Sequence, residues 1–286
     1  MFKKRAGARY LKTLKPYERI MAYFMTRRSD AQVFFEDEIN CESLDRYIQE
    51  KKEQGQDLNY LYIFVAAMVR LYAQRPAMNR FVMNGRLYAN EDITICMAVK
   101  KSLRDTEVDT DIKLHFTGHE NITEIRDRLY KEIYANKGSD TSNGQDDVMS
   151  AITSVPHFLI KLVVNVLRLL DRWNLVPKAL IEVSPFHCSG FITHMKSLGI
   201  PAVYHHIYDF GTVGQFIAMG KEEYKPVVNK RTKNLEVAKV MNIKIVADER
   251  ICDGLYYAKS FRLFRRIMEN PWLLDERLEE VKKDVE

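Results

Sequence analysis

The run Leu235–Glu249 constrains the fold of this chain more than any other segment. Its apolar residues alternate with polar ones, a period of two that is typical of a β-strand with one buried face. The apolar positions are Leu235, Val237, Met241, Ile243, Ile245 and Ala247. The same alternation places Glu249 on the apolar side. Asp253-Gly254 breaks the strand, and Leu255–Met268 has the spacing of an amphipathic helix. The segment therefore predicts a strand, a short turn and a helix.

Helices and strands are predicted in separate blocks elsewhere in the chain. Asp57–Ala73 has apolar residues at spacings of three and four, with Asp57 as its N-cap and Pro76 as its stop. Asn84-Gly85 predicts a β-hairpin, because both residues tolerate the positive φ of a type I′ turn. Further strands are predicted at Ile93–Val99 and Asp111–Phe116, and a further helix at Asn121–Tyr134. This order favours an α+β fold over a regular series of βαβ units.

The middle of the chain is predicted to contain a break followed by a helix. Asn136–Asp147 has the composition of a loop. Val155–Trp173 is helical and apolar except for one polar stripe at spacings of four, three and four. The stripe consists of Lys161, Asn165, Arg168 and Arg172. We expect a helix that faces the core, and the alternative is a helix that lies on a membrane surface.

The positive charge of the sequence is concentrated at its N-terminus. Lysine and arginine total 44 and aspartate and glutamate 39, which gives a net charge of +5. The first fifteen residues hold six basic side chains and no acidic one, so the rest of the chain is close to neutral and no nucleic-acid surface is predicted. We interpret residues 1–15 as a basic arm in the form of a disordered, solubilising tail. The alternative is an arm that binds anionic surfaces or the phosphates of CoA on a neighbouring subunit.

Four scattered cysteines form no CxxC pair, so neither a disulfide framework nor a zinc cluster is predicted. Free thiols and the lack of an apolar signal segment favour a cytoplasmic location. Phe158–Leu170 is too short to be a transmembrane segment. The spacings of His187, Cys188 and His194, and of His205-His206, fit no standard metal site, so no metal is expected.

The sequence from Asp248 to Gly254 reads DERICDG. It resembles the DHRxxDG motif of dihydrolipoyl acyltransferase catalytic domains, which share the chloramphenicol acetyltransferase-like fold with the HHxxxDG enzymes. Glu249 stands where this motif has its catalytic histidine. Arg75–Tyr88, Ser197–Gly199 and Phe216–Lys221 resemble further segments of the family in the expected order. The resemblance extends from about Pro16 to Pro271.

The resemblance implies a single acyltransferase-like domain over residues 16–286, with a mixed sheet flanked by helices and an insertion at 138–181. It also implies a homotrimer with the site at the subunit interface and a channel that two substrates enter from opposite ends. The expected substrates are CoA or acyl-CoA and a small-molecule or lipoyl-type acceptor, with no permanently bound cofactor. One of the histidines near Tyr204–Tyr208 could replace the missing base, because this segment should lie near the channel.

Four residues are candidates for the site by analogy with the family. Glu249 would act as the base and Ser197 would donate to the oxyanion, although the most literal alignment puts Lys196 at the latter position. Asp253 and Arg19 would form a structural ion pair that fixes the loop carrying the base.

The replacement of histidine by Glu249 leaves two hypotheses open. Imidazole titrates near 6.5, a carboxylate near 4.3 and a thiol near 8.5, so an ordinary carboxylate is a poor base for a thiol. Burial makes a carboxylate a stronger base because desolvation disfavours its charged form. The first hypothesis is therefore an acyltransferase with an altered base. The second is an inactive homologue that serves as a trimeric binding or scaffold protein. A third reading is an unrelated α+β protein with a chance motif.

Overall fold

The computed structural model describes residues 5–100, 109–136, 144–229 and 231–286. Its strands are β1 (Ala8–Tyr10), β2 (Gln32–Asn40), β3 (Arg80–Met83), β4 (Arg86–Asn90), β5 (Ile93–Lys100), β6 (Asp109–Phe116), β7 (Gly190–His194), β8 (Gln215–Val228) and β9 (Leu235–Asp248). Its helices are α1 (Pro16–Phe24), α2 (Glu42–Glu53), α3 (Tyr60–Gln74), α4 (Ile122–Ala135), α5 (Gly144–Thr153), α6 (His157–Arg172), α7 (Lys178–Val183) and α8 (Gly254–Glu269).

A six-stranded mixed sheet in the order β2-β9-β8-β7-β5-β6 forms the centre of the molecule. β7 is parallel to both β5 and β8, and the other pairs are antiparallel. A small antiparallel sheet has the order β1-β4-β3. The mixed sheet and the flanking helices confirm the predicted α+β fold class.

The two faces of the large sheet are covered differently. One face packs against α3, α4 and α8 in the main core, to which Ile192, Ile217 and Ile243 contribute from three neighbouring strands. The opposite face is covered by irregular chain, where Ile207 and Val213 pack on Phe191 and Phe216.

Local sequence signals are confirmed for most elements. Asn84 and Gly85 have φ values of 50° and 71°, and Met83 pairs with Arg86 across the hairpin. α3 ends before Pro76, but its N-cap is Asn59, whose side chain accepts from the backbone N–H of Tyr62 at 3.0 Å, and not Asp57. Residues 144–147 are helical and not part of a loop, whereas residues 137–143 of the predicted loop lie outside the described residues.

The N-terminal arm is folded from residue 5 onward, so the prediction of a disordered tail is wrong there. β1 pairs with β4, and Leu11 and Leu14 are buried in the main core. Arg5 is buried as well, with its guanidinium 2.6 Å from the carboxylate of Asp171 in α6. The buried apolar residues of the arm, Ala8, Leu11 and Leu14, occur at every third position, and their burial holds the arm against the domain.

The prediction that α6 faces the core is also wrong. Asp171 is the only residue of α6 that is fully buried, and the helix exposes a row of large apolar side chains. No helix among the described residues is both long and apolar enough to cross a bilayer.

Candidate active site

Glu249 lies on the turn that follows β9, and its side chain is exposed in the single chain. Its backbone N–H donates to the carbonyl of Ala31 at 2.8 Å, which attaches the turn to the segment before β2. The expectation that Glu249 points to the apolar side is therefore wrong. Met241, Ile243, Ile245 and Ala247 of the predicted apolar face lie in the main core, whereas Leu235 and Val237 are exposed. β9 ends at Asp248, so Glu249 no longer follows the period of the strand.

Asp248, the residue before Glu249, is the centre of a buried ion cluster. Arg250 donates from Nε and Nη2 to the two oxygens of Asp248 at 2.8 and 2.7 Å. The Nε of Arg28 lies 3.5 Å from the same carboxylate. Asp248 is fully buried, and the side chains of Arg28 and Arg250 are each only 3% exposed. Such a cluster is strongly destabilised when one partner is removed, so it fixes the backbone on both sides of Glu249.

The second arginine of this cluster ties the turn to the outer layer of the sheet. Arg28 donates to the carbonyls of Tyr208 at 2.6 Å and Gly211 at 2.8 Å. Burial lowers the pKa of Arg28, and the charge of Asp248 partly offsets this effect. The cluster therefore joins the base position to the segment that covers the sheet.

The predicted ion pair between Asp253 and Arg19 does not form. Asp253 is the N-cap of α8, and its carboxylate accepts from the backbone N–H of Tyr256 at 2.7 Å. Arg19 is exposed and has no ion pair among the described residues, because it lies on the outer side of α1. Arg80 supports this loop instead, since it donates to the carbonyl of Ile251 at 3.2 Å.

Arg80 is held in place by two acidic partners. It donates to Asp284 at 2.6 and 2.7 Å and to Glu18 at 3.1 Å. Burial lowers the pKa of Arg80, but the hydrogen bonds and charge of Asp284 outweigh this effect and the pKa is raised. No local pattern in the sequence indicates this role of Arg80, because Asp284 is 204 positions away.

Ser197 lies in a 3₁₀ turn, Met195–Leu198, directly after β7. Its side chain is exposed, and its hydroxyl donates to the carbonyl of His194 at 2.6 Å. The alternative residue, Lys196, is bound to Glu222 at 2.6 Å and lies 4.5 Å from the ring centre of Tyr60. Of the two, Ser197 is the one whose side chain has no charged partner.

Ser197 and Glu249 follow the ends of two different strands, β7 and β9, and these strand ends lie at different levels of the same sheet. Ala247 pairs with Gln215 at the first residue of β8, whereas His194 pairs with Met219, which pairs with Ile243. From Glu249 to the level of His194 the strand therefore advances six residues, or about 20 Å at 3.3 Å per residue. The two side chains do not meet within one chain.

Two partly buried histidines lie on the sheet: His194 at the end of β7, before Ser197, and His205 beside Phe216, which pairs with Val246 near Glu249. The ring of His205 stacks on Phe216 with ring centres 4.5 Å apart, and its Nε2 is buried without a hydrogen-bond partner. The Nε2 of His194 is also buried and unpaired, and burial together with the charge of Lys196 lowers the pKa of His194 to about 4. The ring of His194 is therefore neutral near pH 7, and burial also lowers the pKa of His205.

Another buried cluster joins α6 to the outer layer. The carboxylate of Asp171 accepts from Arg5 at 2.6 Å and from the backbone N–H of Gly211 at 2.9 Å, and it lies 3.1 Å from the Nε2 of His187. Burial would raise the pKa of Asp171, but the hydrogen bond from His187 and the charge of Arg5 lower it. Among the described residues, no group of three or more potential ligands is placed to hold a metal ion.

Comparison with known proteins identifies the class to which the fold belongs. Residues 215–275 match the family model of the 2-oxoacid dehydrogenases acyltransferase (catalytic domain). This segment contains β8, β9, the turn with Glu249, and α8. A search of curated proteins finds no match.

Solved structures show the same fold over nearly the whole chain. A probable dihydrolipoamide acetyltransferase from Listeria monocytogenes is 15% identical, with a TM-score of 0.57 over 90% of this chain and 93% of that chain. The cubic core of the pyruvate dehydrogenase multienzyme complex is 9% identical, with a TM-score of 0.59 over 90% and 88%. Dihydrolipoamide acetyltransferase from Azotobacter vinelandii is 10% identical, with a TM-score of 0.58 over 92% and 93%.

These findings define an acyltransferase-family domain. The chain has the fold of the 2-oxoacid dehydrogenase acyltransferase catalytic domains and is related to dihydrolipoamide acetyltransferase, which confirms the resemblance seen in the motif. In the A. vinelandii enzyme a serine, a histidine and an asparagine have been studied for their role in catalysis. The spacing from that serine to the histidine equals the spacing from Ser197 to Glu249 in this chain. The spacing from the histidine to the asparagine equals the spacing from Glu249 to Asp253.

Proposed function

We propose that this chain is a CoA-dependent acyltransferase with an altered catalytic base. It would transfer an acyl group from a thioester to a thiol, hydroxyl or amine of a small-molecule or lipoyl-type acceptor. The observation that carries the proposal is the position of Glu249, on a turn held by the buried Asp248 cluster and at the place of the motif's histidine.

The proposed chemistry assigns one step to each of two residues. Glu249 accepts the proton of the acceptor group as that group attacks the thioester carbonyl, and returns it to the CoA thiolate that leaves. The hydroxyl of Ser197 turns from the carbonyl of His194 to the oxyanion of the tetrahedral intermediate. No cofactor is permanently bound in this scheme, because CoA enters and leaves as a substrate.

We propose that the site forms between chains of a homotrimer. The separation of about 20 Å between Glu249 and the level of His194 supports this assembly, since Ser197 of one chain needs Glu249 of another. Contact with a neighbouring chain would also remove water from Glu249 and make the carboxylate a stronger base.

The four cysteines are all free and buried, which supports a cytoplasmic location.

A second candidate is an inactive trimer that acts as a binding or scaffold protein. Two observations favour it: the side chain of Glu249 is exposed to water, and the hydroxyl of Ser197 already has a backbone acceptor. In that case the fold would have been retained for its assembly and not for its chemistry.

The test is release of free CoA from acetyl-CoA with thiol, hydroxyl and amine acceptors. Wild type, Glu249→Ala and Glu249→His are compared with Glu53→Ala, an exposed acidic residue at the end of α2, as the control. The proposal predicts turnover by wild type and by the control that is lost in Glu249→Ala. Turnover by Glu249→His but not by wild type would indicate an acyltransferase that has lost its activity and kept an intact pocket. No release of CoA by wild type or any variant, together with no binding of CoA, would favour the scaffold protein.

A further inference from the structure

The outer surface of α6 carries a row of exposed apolar side chains. Phe158 is 70% exposed, Leu162 and Leu169 are each 57% exposed, and Trp173 is 44% exposed. Their spacings of four, seven and four place them on one side of the helix, and Val166 lies beside them. Because α6 has 16 residues, the row is about 24 Å long.

Basic side chains accompany this row along the length of the helix. Lys161, Arg168 and Arg172 are exposed, and none of them forms an ion pair within the described residues. Arg168 and Arg172 also line a cleft of about 720 Å³ together with Arg27, which is exposed and unpaired in the same part of the chain. The outer side of α6 is therefore both apolar and positively charged.

The only acidic residue of α6 does not offset this charge. Asp171 is buried against Arg5, His187 and the backbone of Gly211, as described above. This cluster also fixes the rotation of the helix about its axis. The apolar row and the basic stripe are consequently held outward together, and the helix cannot turn the row toward the core without breaking a buried ion pair.

We propose that α6 docks on an anionic phospholipid surface and lies in the plane of the membrane interface. The row from Phe158 to Trp173 would enter the boundary of the acyl chains, and the arginines would bind lipid phosphates. Charge complementarity selects this occupant. A second copy of the chain would need an apolar surface rich in unpaired acidic groups, whereas an anionic bilayer supplies negative charge along the whole helix. The proposal is independent of the catalytic one.

The experiment is flotation of the full chain with vesicles of phosphatidylcholine alone or mixed with phosphatidylglycerol. Wild type should float with the mixed vesicles only, and high salt should weaken this binding. Arg168→Gln and Arg172→Gln should each reduce the affinity about fivefold. The double variant Leu162→Glu/Leu169→Glu should not bind. Leu255→Glu, an equally exposed leucine on α8, should bind like wild type.

Two results would overturn the proposal. One is that wild type floats with neither kind of vesicle. The other is a Leu162→Glu/Leu169→Glu variant that changes the mass of the assembly in lipid-free solution, which would make this surface an interface between chains. A second readout does not depend on these variants: the fluorescence of Trp173 should shift to shorter wavelength with mixed vesicles, and Trp173→Phe should abolish that shift.

Discussion

Replacement of Asp248 by alanine tests whether the buried cluster supports the turn that carries Glu249. The substitution leaves Arg28 and Arg250 buried with no carboxylate between them. Removal of one partner from a buried ion pair costs about 3–5 kcal/mol. With an m value of about 2–3 kcal/mol/M in urea, the midpoint of unfolding should fall by roughly 1–2 M.

The matched control for this substitution is Asp209→Ala. Asp209 is exposed, and its carboxylate accepts from the backbone N–H and hydroxyl of Ser29 at 2.9 and 3.0 Å. Loss of such bonds costs about 1 kcal/mol, or less than about 0.5 M in the midpoint. Urea unfolding followed by far-UV circular dichroism measures both variants. Equal midpoints for the two variants would refute the role given to the cluster.

Two further predictions concern stability. Burial and then the charge of Lys196 lower the pKa of His194 to about 4. Below pH 6.5 the unfolded chain therefore binds a proton at His194 that the folded chain does not bind. The contribution of His194 to the free energy of unfolding is fully present above pH 6.5 and is lost as the pH falls toward 4, by about 3 kcal/mol in all. Urea titrations at pH 7 and 4.5 should therefore show a smaller pH dependence of stability for His194→Gln than for wild type. An equal pH dependence in the two proteins would contradict the assignment. Gly211 has a φ of +84°, and a Cβ there would lie 2.0 Å from the carbonyl oxygen of Phe186, whereas Gly199 at +72° has open space around it. Gly211→Ala should therefore lower the urea midpoint well beyond Gly199→Ala, whose cost is limited to about 1–2 kcal/mol of left-handed strain, and a comparable loss in both would show that the contact with Phe186 is not rigid.

The parts of the fold that could be predicted from the sequence depend on local patterns. The alternation in Leu235–Ala247 and the Asn84-Gly85 turn each involve neighbouring residues, and the structure has a strand and a hairpin at these places. The DERICDG motif is also local, and the family match over residues 215–275 contains it.

The parts that the sequence could not predict depend on partners far apart in the chain. The bond between Arg5 and Asp171 spans 166 residues, and it helps to hold the basic arm against the domain. Arg80, rather than Arg19, supports the loop beside Asp253, because the inner face of α1 presents Glu18 to Arg80. The separation of Ser197 and Glu249 along the sheet depends on strand pairing, which no local spacing encodes.

The measurement that tests the two-chain site most directly is cross-linking of Ser197→Cys/Glu249→Cys with a bismaleimide much shorter than 20 Å. The native cysteines are all buried, so they contribute little background. A site between chains predicts covalent dimers and trimers on a denaturing gel for the double variant, and monomers for Ser197→Cys alone. Monomers alone from the double variant, with or without an internal cross-link, would contradict the account.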